Sequence, residues 1–159
     1  MYLLLALLLP GMVFVFLKFG GSNQFDIPVY PLPGTPLRSD CAEVVSEGYK
    51  LPDSAQARLI PDVQKAYVVI FRDGEGDAQS IAKAVGEEIG PKVEFVSGET
   101  LSADPIVVQR WKSCVFLLSA PWQTALVDGS GKIRGFYDLR SRDEVDRMRV
   151  ELKILLEMY

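Results

Sequence analysis

Apolar and polar positions alternate along this chain with a period that changes several times, and each change marks an element. Residues 1–17, MYLLLALLLPGMVFVFL, carry no charge. Residues 65–71, KAYVVIF, are a shorter apolar run rich in β-branched and aromatic side chains. Such a run between polar segments predicts a buried central strand. The period then becomes helical over residues 77–89, where Ile81, Ala82, Val85 and Ile89 form one stripe. Asp77 is placed to cap that helix and Gly90-Pro91 to end it. A short strand follows over residues 93–96, then a polar loop over 97–105 and a short helix over 106–111. Residues 114–119, CVFLLS, form another apolar strand run, which Pro121-Trp122 separates from the next one. Residues 41–60 carry no clear period.

The last quarter is the most strongly patterned. Residues 124–127 and 132–137 are strand-like and flank Asp128-Gly129-Ser130-Gly131. Asp-Gly between two such runs predicts a tight hairpin in which Gly129 supplies a positive φ. Ser141 and Glu144 make a capping box. Val145, Met148, Leu152 and Leu155 then recur at helical spacing. On the exposed face, Asp143 with Arg147 and Arg147 with Glu151 are expected i,i+4 charge pairs. The unit β-α-β with a crossover helix implies parallel pairing. Adding the hairpin and helix gives β-α-β, connection, β-β-α, the core order of a thioredoxin-like α/β domain, a central sheet flanked by helices.

Three regions follow: an anchor at 1–18, a Pro-rich connector at 19–37 and the thioredoxin-like domain at 38–159. Seventeen uncharged residues reach the short end of a membrane-spanning helix, and Lys18 can snorkel at its edge. Without a basic leading region or a small-x-small cleavage site, the segment reads as an uncleaved anchor rather than a signal peptide. Lys18 on its carboxyl side votes for a cytoplasmic domain, a one-charge vote. The connector, FGGSNQFDIPVYPLPGTP, holds Pro28, Pro31, Pro33 and Pro36, which exclude a helix there. Phe25, Ile27, Val29, Tyr30 and Leu32 make it too apolar for a free linker. It packs either along its own domain or on a partner.

Composition removes many functions. The 159 residues include no histidine and carry a net charge of −4. Ser-His-Asp and Cys-His catalysis, His-ligated zinc, type-1 copper and bis-His haem are excluded in their usual forms. An acidic chain with basic residues scattered singly does not fit nucleic acid. Cys41 and Cys114 make no CxxC. They read either as one disulfide, in an oxidising compartment, or as two separate structural thiols. Met1, Met12, Met148 and Met158 do not cluster in the sequence. Asp73, Glu75 and Asp77 alternate with glycines but lack EF-hand spacing, and no phosphate-loop motif is present. They read as a solvated turn and an N-cap.

The string LVDGSGKIRGFYD followed by RDEVDRMRVELKILL resembles the C-terminal end of the Sco/SenC family, membrane-anchored thioredoxin-fold proteins that deliver copper to cytochrome c oxidase. Tyr49-Lys50-Leu51-Pro52-Asp53 is similar to that family's Y-x-(I/V)-P-D entry, and KFGGSNQFDIPVY to the segment after the anchor in one bacterial branch. The family carries CxxxC in the loop between its first central strand and helix, and a His before the final hairpin. Here Gly74 and Asp77 (or Ala78) fall at the cysteine positions and Ala120 at the histidine position, so all three copper ligands are missing. The resemblance implies a single-pass protein of the bacterial inner membrane with a periplasmic domain. It further implies a non-catalytic accessory role, without cofactor, beside a respiratory complex such as a haem-copper cytochrome c oxidase or a supercomplex holding one. The alternative is an active copper chaperone or thiol-disulfide protein using Cys41 and Cys114. Phe25, Tyr30 and Trp122 are the candidate partner-facing residues, against a plain packing role.

Overall fold

The computed structural model describes residues 11–13, 27–31, 41, 49–71 and 78–157. Among these the elements are α1 (Asp53–Leu59), β1 (Ala66–Ile70), α2 (Ala78–Ile89), β2 (Val93–Ser97), α3 (Pro105–Arg110), β3 (Thr124–Val127), β4 (Ile133–Tyr137) and α4 (Arg142–Glu157). The four strands form one sheet in the order β2-β1-β3-β4. β1 and β2 are parallel, as the crossover through α2 requires, and β3 runs antiparallel to both β1 and β4. This mixed α/β architecture, a sheet flanked by helices, is compatible with a thioredoxin-like fold.

Strand periodicity sorts the core into two layers. Val68 and Leu126 point to one face, where Val85 of α2 and Val145, Met148, Leu152 and Leu155 of α4 cover them. The expected apolar stripe of α4 is thus buried, each side chain contributing roughly 1.5–3 kcal/mol. Tyr67, Val69, Ala125 and Val127 point to the other face, under Leu51, Ala55, Leu59, Leu101, Phe116 and Leu118. A shift in register between Leu126 and Val127 bends β4, so that Ile133 joins the second layer and Tyr137 the first.

Several expectations are corrected. Residues 53–59, where no period stood out, form α1. Its buried side is Ala55 and Leu59, one residue per turn, with Leu51 buried just ahead of it. The CVFLLS run makes no strand. A π-type turn continues α3 through residues 111–115, with the Phe116 amide donating to the Trp111 carbonyl at 2.9 Å. Leu117 then takes a positive φ of 57°, and Phe116 and Leu118 drop into the core.

In the hairpin the positive φ belongs to Gly131, at 82°, rather than to Gly129. The turn is longer than two residues, and its left-handed position comes last. Gly129 is required for a different reason: a Cβ there would lie 1.8 Å from the Val63 carbonyl oxygen. On α4, Arg147 pairs with Glu151 at 4.0 Å as expected, but its second partner is Glu144 at 2.7 Å rather than Asp143.

The connector's described residues pack on their own domain. Ile27, 4% exposed, enters the core layer of α2 and α4. Three residues later Tyr30 bridges Ile133 and packs against the opposite layer. Residues 27–31 therefore cross the outer edge of β4.

Candidate functional site

The Phe71 amide donates to the Gln123 carbonyl at 2.8 Å, and Ile70 pairs with Thr124. The segment ahead of β3 is thereby held against the carboxyl end of β1, where the chain leaves for α2. Ala120 lies in that segment, solvent-exposed, at a cis Ala120–Pro121 bond. Gly74 and Asp77, the other two candidate positions, lie outside the described residues. Thr124 is fully buried and its hydroxyl has no partner. Ala120, Pro121, Gln123 and Thr124 offer neither thiol nor imidazole. Among the described residues no cluster of acidic or sulfur side chains could hold a metal ion.

From Ile70 and Ala78 an apolar groove of about 720 Å³ runs between α2 and the outer strand β2, past Ala82, Gly86 and Phe95 to Pro91. Gly86 opens it, since a Cβ there would lie 3.3 Å from the Phe95 ring.

Cys41 and Cys114 are joined in a disulfide, with Cα atoms 5.4 Å apart. Cys114 sits on the π-type turn rather than on a strand, and both cysteines are half-buried. The bond lies in the wall of a separate depression of about 360 Å³ with Pro52, Ser54, Arg110 and Trp111. That depression shares no residue with the groove beginning at Ile70.

Two of the candidate partner-facing residues are brought together. Tyr30 stacks at 4.8 Å on Phe136, and Trp122 meets the same ring at 6.1 Å. Trp122 remains 38% exposed. Phe25 lies outside the described residues. Two arginines flank this row. Arg140 approaches the Pro121 carbonyl at 3.5 Å, and Arg147 donates to the Phe136 carbonyl while lying 4.8 Å over the Tyr137 ring. Tyr137 in turn donates to Glu151. Burial first, and the Glu151 carboxylate second, hold its phenol protonated well beyond the usual tyrosine range.

Sequence reasoning missed the group that fastens the connector. Asp128 is fully buried. Its Oδ1 accepts from the Ser130 amide and hydroxyl and from the Lys132 amide, and its Oδ2 from Arg134 Nε at 2.7 Å. Arg134 also donates through Nη1 to the Ile27 carbonyl at 3.0 Å. Burial alone would raise the Asp128 carboxyl, but these donors and the Arg134 charge outweigh it and hold the group below the usual carboxylate range. The available signal was an Asp opening a turn with an Arg six residues on, in the next strand. Turn chemistry accounted for Asp128 by itself, and the link to Ile27 spans 107 positions.

No family model, curated protein or solved structure matches this chain. No helix among the described residues is long and apolar enough to cross a membrane. The expected anchor lies outside them except for residues 11–13, which are helical.

Proposed function

We propose that this chain is a membrane-anchored, thioredoxin-like accessory subunit of a respiratory complex, similar to Sco/SenC proteins but without their copper and thiol chemistry. The partner proposed is a haem-copper cytochrome c oxidase or a supercomplex holding one, in a bacterial inner membrane with the domain on the periplasmic side. The observation that carries the reading is the strand order β2-β1-β3-β4, with the Ala120 segment held against the end of β1. In a thioredoxin-like domain the reactive site is built where these two meet. Here Ala120 stands at the histidine position, the chain has no histidine, and both of its cysteines are tied into a disulfide elsewhere. The oxidising compartment agrees with that disulfide.

The test is to solubilise native membranes in a mild detergent and follow the chain through a native gel alongside haem absorbance. Co-migration with a haem-containing complex is expected. Migration alone overturns the subunit reading.

One observation favours a second reading, a copper chaperone or thiol-disulfide protein. The Cys41–Cys114 bond is half-buried beside an open depression. Titrating the reduced full-length chain with Cu(I) decides between them. The accessory reading expects no stoichiometric complex, and tight binding of one ion per chain would replace it with the second.

A further inference from the structure

We infer that the Tyr30–Phe136–Trp122 row is a seat for the lipid headgroup surface, so that the domain lies against the bilayer by one defined face. The inference rests on the anchor in the proposed function. Its first support is the length of chain between anchor and domain. Lys18 closes the uncharged run and Ile27 is already in the core. Nine Cα–Cα steps span at most about 30 Å even when fully extended. A body of roughly 130 residues has a radius of gyration of about 14 Å, hence a diameter of about 36 Å. The tether is shorter than the body it holds. The side at which the chain enters is therefore the side nearest the membrane, and Tyr30 lies three residues past the entry point.

The second support is the chemistry of that side. Tyrosine and tryptophan combine an apolar ring with a polar edge and concentrate at membrane–water boundaries for that reason. Tyr30 and Trp122 flank one phenylalanine, so their rings form a continuous strip. Trp122 is among the few large apolar side chains of the domain left exposed. Its neighbours Ser119, Ala120 and Pro121 are exposed and uncharged. Among the charges bordering the strip is Arg140, doubly hydrogen-bonded to Asp138, its side chain 58% exposed and that of Asp138 16% exposed. The cation thus faces outward, as an anionic headgroup layer favours. Arg147, paired with Glu144, closes the other side.

The experiment uses the full chain carrying Trp111→Phe, in which Trp122 is the remaining tryptophan. It is reconstituted into phosphatidylethanolamine–phosphatidylglycerol vesicles, with and without lipid brominated on the acyl carbons nearest the headgroup. Bromine is expected to quench at least half of the Trp122 emission. Unquenched emission from a chain that resists alkaline carbonate extraction overturns the seat and leaves the anchor standing. This is also the outcome if a protein partner covers the strip. A chain that carbonate extracts overturns the anchor and the seat together. If Trp111→Phe does not fold, the wild-type emission minus that of Trp122→Phe supplies the same reading.

Discussion

Asp128 gathers several electrostatic contacts of the fold at one buried carboxylate. It is acidic and fully buried, and every contact named for it above is a donor. Replacing it with alanine takes from Arg134, whose side chain is 14% exposed, the carboxylate 2.7 Å from its Nε, and takes from Ser130 and Lys132 the acceptor of their amides. Breaking a buried, hydrogen-bonded ion pair is costly, so Asp128→Ala is expected to lose about 3 kcal/mol in urea denaturation. Asp128→Asn, which keeps an acceptor oxygen, loses less. The folded pKa lies below the unfolded value of about 3.9, so the carboxylate's contribution is complete above that pH. It declines as pH falls from that value through the lower folded one, because over that range the unfolded chain binds a proton that the folded protein does not. Stability measured across the acid range should fall more steeply in the wild type than in Asp128→Asn, in which Asp138 and Glu88 still contribute to the loss. A parallel pH profile for the two proteins would remove Asp128 from the account.

At the scale of elements, the parts that repeat a period were legible and the parts stabilised by single distant contacts were not. β1, α2, β2, the hairpin and α4 were all expected, because each buries a whole face whose spacing stands in the sequence. α1 has two turns and one buried residue in each, too few to stand out as a stripe. Residues 114–119 have strand-like composition, but they follow a helix closely enough to extend it by a π-type turn, and Phe116 and Leu118 reach the core from irregular backbone. The disulfide holds this turn to residue 41. It closes a loop with a sequence separation of 73, for which chain entropy alone gives about 4 kcal/mol. The double variant Cys41→Ser, Cys114→Ser is expected to lose roughly that much relative to the oxidised protein, with the reduced wild type close behind it. Denaturation midpoints that do not move on reduction would mean that the bond is an accessory of the fold. They would favour the thiol-exchange reading, in which such a bond opens and closes without disturbing the domain. The candidate site was legible in the same partial way. Ala120 could be counted back from Asp128, whereas the pairing of Tyr30 with Phe136 joins residues more than a hundred positions apart.

For the whole molecule, the decisive question is how firmly residues 27–31 belong to the domain. Three contacts of different kinds hold residues 27–31. Ile27 is buried between sheet and helices, its carbonyl accepts from Arg134, and the Tyr30 amide donates to the Ile133 carbonyl at 2.8 Å. Together they cover the outer edge of β4, which would otherwise present unpaired backbone groups to any other strand. A chain beginning at Gly20 keeps all three contacts, and one beginning at Leu32 keeps none. Burial of Ile27 contributes roughly 2 kcal/mol, and each of the two hydrogen bonds about 1 kcal/mol. The Leu32 chain should therefore unfold about 4 kcal/mol more easily than the Gly20 chain in urea, and should self-associate through the uncovered β4 edge as its concentration rises. Equal stability of the two would show that the segment merely rests on the domain. The Ile27 carbonyl is held by Arg134 of β4, and β4 also carries Phe136, the ring on which both Tyr30 and Trp122 pack. The face that we propose to lie against the lipid is thus built partly from residues 27–31, and a domain cut within them would lose that face together with any link to the proposed anchor.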